Sequence, residues 1–158
     1  MDAEYSPEHL QDLIGYIFAD PDLLKGALTR FKYLDDLHVP TDNNMNPLAT
    51  VGDAVLDLLV LQGLYDRGGR KRGKLTDDKK KVIAKAKTRA FAERHHYFKY
   101  VQWDSSEDKD KIWEKGNETL DRCIEALIGA VYLDAQRSGK NGMVVVEDML
   151  VKLGLSLQ

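Results

Sequence analysis

Two stretches of this chain are as long as helices yet apolar on almost every helical face, and this leaves few architectures open. The first, 48–65, carries Val51, Ala54, Val55, Leu56, Leu58, Leu59, Val60, Leu61 and Leu64. The second, 120–134, carries Cys123, Ile124, Ala126, Leu127, Ile128, Ala130, Val131 and Leu133. A helix that is apolar all round must be buried on most sides rather than lie on a surface. The pair therefore predicts a helical core around which the remaining segments pack. With 158 residues, 43% of them apolar, there is material for a single domain over 1–158 that buries roughly 70% of its unfolded surface.

The flanking segments read as shorter helices. Leu10, Leu13, Ile14, Ile17 and Phe18 recur at steps of three and four. Asp20 stands as an N-cap ahead of Pro21-Asp22, with Leu23, Leu24, Ala27 and Leu28 behind it. The segment 30–47, with two prolines and three asparagines, reads mainly as loop with a short turn near 32–37. Gly68-Gly69 end the first apolar helix. A basic loop follows at 71–73, and Thr76, with Asp77 and Asp78 behind it, reads as the N-cap of a helix running to about His96. Next come an acidic linker, 104–111, and a closing helix over 144–153, where the spacing of Met149, Leu150 and Leu153 outweighs the strand preference of Val144-Val145-Val146. The expectation is an all-α domain of about seven helices. The apolar stretch 54–65 is too short for a bilayer span, lone Cys123 excludes an internal disulfide, and the N-terminus has no basic-then-apolar leader. These point to an intracellular, cytoplasmic protein without a membrane partner.

Charge is unevenly placed. Between 67 and 99 there are thirteen Lys and Arg against three acids, a local +10, so the remainder carries −13. A local field of that sign suits a polyanion, although a solvated helix flank has the same composition. The aromatic run Tyr97, Phe98, Tyr100 and Trp103 reads as core packing rather than as a platform for bases. His95 and His96 lack metal-binding spacing.

Acids inside the apolar helices carry the chemistry. Asp53 follows Gly52 in the first helix, and Glu125 lies amid Ile124 and Ala126-Leu127-Ile128 in the second. Asp57 is four residues after Asp53 and Asp121 four before Glu125, so each helix stacks two carboxylates on one face. A buried carboxylate needs a cation, a hydrogen-bond donor or a divalent metal beside it. A cap or ion pair explains one such acid taken alone. If the two faces meet, they make an oxygen cage suited to magnesium and to phosphodiester hydrolysis. For Asp57 a solvent-facing position is the other reading.

Leu48-Ala49-Thr50-Val51-Gly52-Asp53-Ala54-Val55-Leu56 resembles the signature helix of the ribonuclease III family, and the run from Glu125 to Asp134 resembles its second acidic helix. The opening Leu13-Ile14-Gly15-Tyr16-Ile17-Phe18 and the turn Gly73-Lys74-Leu75-Thr76 resemble two further segments of that family, in the same order. The resemblance implies an all-helical endonuclease domain that dimerises through its signature helices. It also implies cleavage of double-stranded RNA with magnesium, manganese serving as a substitute. Asp53 and Glu125 carry over as catalytic and metal-binding residues; Asp57 and Asp121, named by their spacing rather than by the family's pattern, are auxiliary ligands. Two family acids are replaced, one by Ala49 and one by Arg122, which could itself fill the cation's place. The mini-ribonuclease III branch is closest in motif pattern: it has a non-acid at the first of these positions and lacks a separate RNA-binding domain, for which this chain leaves no room after Leu153. Arg70, Lys71, Arg72, Lys74, Lys79, Lys80, Lys81, Lys85 and Lys87 are then the RNA contacts. The alternative is a catalytically impaired relative that binds or scaffolds double-stranded RNA.

Overall fold

Asn44 starts the longest helix: its side-chain oxygen accepts the Asn46 N–H at 2.9 Å. The computed structural model describes residues 3–31, 33, 42–84, 88–107, 111–113, 118–155 and 157. In chain order the helices are α1 (Pro7–Ile14), α2 (Pro21–Ala27), α3 (Met45–Asp66), α4 (Arg72–Ala84), α5 (Thr88–Arg94), α6 (Thr119–Arg137) and α7 (Gly142–Lys152). Single 3-10 turns occur at Ala3–Tyr5, Tyr97–Lys99 and Lys111–Trp113. No strand occurs among the described residues, only an isolated parallel bridge between Thr29 and Gln102. The all-helical expectation holds.

Several boundaries differ from those read in the sequence, each for a local reason. Helix α3 begins at Met45 rather than 48, because Asn44 caps it and Pro47 falls in the first turn, where backbone N–H groups lack intrahelical acceptors. At 22 residues α3 is long and apolar enough to span a bilayer on those two criteria, so the estimate from 54–65 fell short; here one side of it lies against α6. Thr76 is not a cap but an interior residue of α4, its hydroxyl donating to the Arg72 carbonyl at 3.0 Å. The basic loop at 71–73 is therefore largely the first turn of α4. The long helix expected up to His96 is two helices, α4 and α5, with 85–87 outside the described residues, as is most of the expected turn at 32–37. Helix α7 starts two residues early because Asn141 caps it by accepting the Val144 N–H at 3.3 Å. Nor is the acidic linker freely solvated. Asp104 is buried, and Glu107 pairs with Arg30 at 3.0 Å.

The axis of the fold is the crossing of α3 and α6, which glycine makes possible. A Cβ on Gly52 would overlap the backbone oxygen of Glu125, and one on Gly129 would overlap that of Leu48. The two backbones therefore touch with no side chain between them, so neither position accepts a larger residue without moving a helix. Around the crossing Met45, Ile124, Leu127, Ile128 and Val131 are buried, in one core with Leu10 and Ile14 of α1 and with Val146 and Leu150 of α7, which packs on α6. Tyr97, Tyr100 and Trp103 are buried too, as the core reading of that run expected, and the Trp103 indole donates to the Phe98 carbonyl at 2.7 Å. The outward side of α3 is bare: Ala54 is exposed, and Leu58 and Tyr65 are each 53% exposed.

Candidate active site

Asp53 adjoins Gly52, and Gly52 rests on the Glu125 carbonyl, so the helix crossing itself brings the two acids together. Both line one cavity of about 640 Å³. Its walls are Ala49, Thr50 and Asp53 of α3, Ile83 and Ala84 of α4, Thr88 and Arg89 of α5, and Asp121, Arg122 and Glu125 of α6, with Glu118 at the lip where α6 begins. Among the described residues neither Asp53 nor Glu125 has a hydrogen-bond or ion-pair partner. Burial, then the neighbouring Asp53 charge, pushes the Glu125 carboxyl up to about 7; Arg122 pulls it down, and Asp121 and Glu118 add to the rise.

The same helix shows what a satisfied carboxylate looks like. Asp134 is buried and accepts the Tyr16 hydroxyl at 2.5 Å and the N–H groups of Ala19 and Asp20 at 2.9 and 2.8 Å. Those donors compensate its desolvation and tie the segment after α1 to α6. Glu125 is given none of them. An acid without a hydrogen-bond donor, crowded by like charges in a cavity, is a candidate functional group.

The expected four-acid cage is not assembled. Asp57 lies outside the cavity and pairs with Lys79 at 2.9 Å. Asp121 lies inside it, but its carboxylate accepts the Thr88 hydroxyl at 2.5 Å. Among the described residues no three His, Cys, Asp or Glu side chains converge to hold an ion. Arg122 lines the cavity and forms no ion pair with either acid, although its charge acts on Glu125. Glu118 was missed, although its seven-residue spacing from Glu125 puts both on one helical face.

The basic residues flank a second hollow of about 490 Å³, lined by Arg67, Arg70, Lys71 and Lys74 among others. Arg70 lies over the Tyr65 ring, 3.8 Å from its centre, and donates to the Tyr65 and Gly69 carbonyls. Lys74 pairs with Asp78 at 2.7 Å. Lys71, Arg72, Lys80 and Lys81 are exposed and make no ion pair among the described residues, while Lys85 and Lys87 lie outside them.

A family model described as Ribonuclease-III-like matches residues 20–152. Ribonuclease 3 of Lactiplantibacillus plantarum is 31% identical over 129 residues, 81% of this chain and 55% of that protein. Ribonuclease 3 of Nitratidesulfovibrio vulgaris is 30% identical over 139 residues, 87% of this chain and 54% of that protein. The chain thus spans about half the length of the curated relatives it matches. A solved structure of the nuclease domain of ribonuclease III from Campylobacter jejuni, described for structural flexibility in a region involved in dimer formation, superposes with a TM-score of 0.71 at 25% identity, covering 92% of this chain and 96% of that one.

Proposed function

The chain belongs to the Ribonuclease-III-like family, and from that premise we propose that it is a magnesium-dependent endoribonuclease acting on double-stranded or structured RNA. The observation that carries this reading is the pair Asp53 and Glu125, from distant stretches of sequence, lining one cavity without partners. Two acids fit magnesium better than a cage would, because that ion is commonly held by one or two carboxylates, with water and substrate phosphate completing its shell. When bound, such an ion supplies an acidified water and neutralises charge developing on the phosphate. Manganese, with similar ligand preferences, would substitute.

The chain's own residues do the rest. Glu125 and Asp53 would hold the ion, and Asp53, the more exposed of the two, would orient the attacking water. Asp121, fixed by Thr88, adds negative charge at the cavity wall. Lys71, Arg72, Lys80 and Lys81 would meet phosphates along a duplex, where shape rather than base sequence is read. The bare stripe of Ala54, Leu58 and Tyr65 on α3 supports a homodimer, and the Campylobacter nuclease domain is described as having a region for dimer formation. A monomeric mass at micromolar concentration would remove the dimer.

The test is cleavage of a long RNA duplex with magnesium by the chain and by its Asp53→Ala and Glu125→Gln variants. Each variant should lose about 100-fold or more in rate. Binding without cutting by the unaltered chain would overturn the reading in favour of a scaffold.

A further inference from the structure

Arg122 is a cation in an acidic cavity that bonds to none of the acids. It shares the lining with Asp53, Glu118, Asp121 and Glu125, yet its side chain makes no ion pair or hydrogen bond among the described residues. Two of its neighbours are engaged elsewhere. One oxygen of the Asp121 carboxylate accepts the Thr88 hydroxyl, and Arg89, the other guanidinium of the cavity, pairs with Glu93 at 3.4 Å. Glu118, four residues earlier on the same helix, meets Arg122 only through the helical backbone bond. Arg122 is also exposed, so a large ligand reaches it without unpacking the core.

An unpaired guanidinium offers planar, paired donors that match the two non-bridging oxygens of a phosphodiester. We propose that Arg122 is a substrate-binding residue that grips the RNA phosphate presented to Asp53 and Glu125. This rests on the RNA-cleaving reading above. It gives a purpose to the family's missing acid, because a positive side chain replaces a negative one on the wall the substrate must approach. The site thereby carries fixed positive charge of its own, beside whatever a bound ion supplies.

The test reads binding apart from cutting. Affinity of the full chain for a 30-base-pair RNA duplex, a length of about 30 chosen to exceed one domain's footprint, is measured in EDTA over a series of salt concentrations. Arg122→Ala and Arg122→Gln should each bind roughly tenfold more weakly and flatten the plot of log affinity against log salt by about 0.9, the loss of one phosphate contact. Arg122→Lys should keep the slope while losing part of the affinity, because the charge remains and the fork does not. Arg137→Ala, an exposed arginine at the far end of α6, should change neither. An Arg122→Ala variant with unaltered affinity and slope overturns the proposal, as does one that cuts faster, which would make Arg122 a block. If the unaltered chain binds in an Arg122-dependent way but never cuts, the hydrolase reading fails and this one stands. If it cuts while the variants keep the full slope, only this one fails, and a chain that does not bind the duplex sinks both.

Discussion

Tyr16 donates its hydroxyl to Asp134 at 2.5 Å, joining the segment after α1 to the buried side of α6. Burial first, then this bond and the carboxylate's charge, raise the phenol far above its usual range, so it stays a donor at any working pH. Tyr16→Phe removes one of three donors and should cost about 1–2 kcal/mol. Asp134→Ala strands the Ala19 and Asp20 N–H groups and the phenol together, and about 3–5 kcal/mol is expected. Urea unfolding of the two variants checks the order, and an Asp134→Ala loss no larger than that of Tyr16→Phe would refute the network.

Gly52→Ala tests the helix crossing. The added methyl would overlap the Glu125 backbone oxygen, which no rotamer change relieves, so a loss of at least about 3 kcal/mol is expected. Gly73, within α4, has nothing within 4 Å of the place where a Cβ would stand. Gly73→Ala should therefore gain about 0.5–1 kcal/mol from helix propensity. Melting temperatures that move alike in both variants would contradict the contact.

Glu125 gives stability a pH dependence in metal-free buffer. Its folded carboxyl titrates near 7, above the ordinary 4.5 it regains on unfolding. Below that window both states are protonated; within it the folded state holds a proton that the unfolded state has lost, so stability falls as pH rises and the whole penalty is present above 7. Glu125→Gln should thus stabilise the fold by about 1–2 kcal/mol at pH 8, a figure discounted for partial solvent screening, and by almost nothing at pH 4. Melting curves at the two pH values decide it, and an equal gain at both would refute the assignment.

Magnesium should raise the melting temperature of the unaltered chain and leave that of Asp53→Asn unmoved. Asp57→Asn should respond like the unaltered chain and cut duplex RNA within about twofold of it, because Asp57 faces Lys79 rather than the cavity. Loss of the magnesium response in Asp57→Asn would place that carboxylate back among the ligands.

What the sequence made legible was set by burial. The apolar residues that crowd 48–65 and 120–134 announce two core helices whatever else the chain does, and an acid among them stands out as a cost needing compensation. Helix ends were less legible, because a cap is one hydrogen bond. Asn44 and Asn141 moved two helix starts by two or three residues, and Thr76 looked like a cap while bonding back to Arg72. Asp57 and Asp121 share helical faces with Asp53 and Glu125 as their spacing requires, yet spacing is silent on what stands opposite. Lys79 and Thr88, from other helices, took both carboxylates. Gly129, inside the run from Glu125 to Asp134, has no role legible in sequence, since its task, admitting the Leu48 carbonyl, exists only once two helices meet.

That glycine joint also bears on how the protein could be re-engineered. Asp53 and Glu125 are spaced by main chain resting on main chain, so exchanging bulky residues elsewhere in the interior leaves their separation untouched. Hardening the scaffold against heat and retuning its reactivity therefore become separable tasks, the first open to ordinary hydrophobic redesign and the second confined to the few side chains around the cavity mouth.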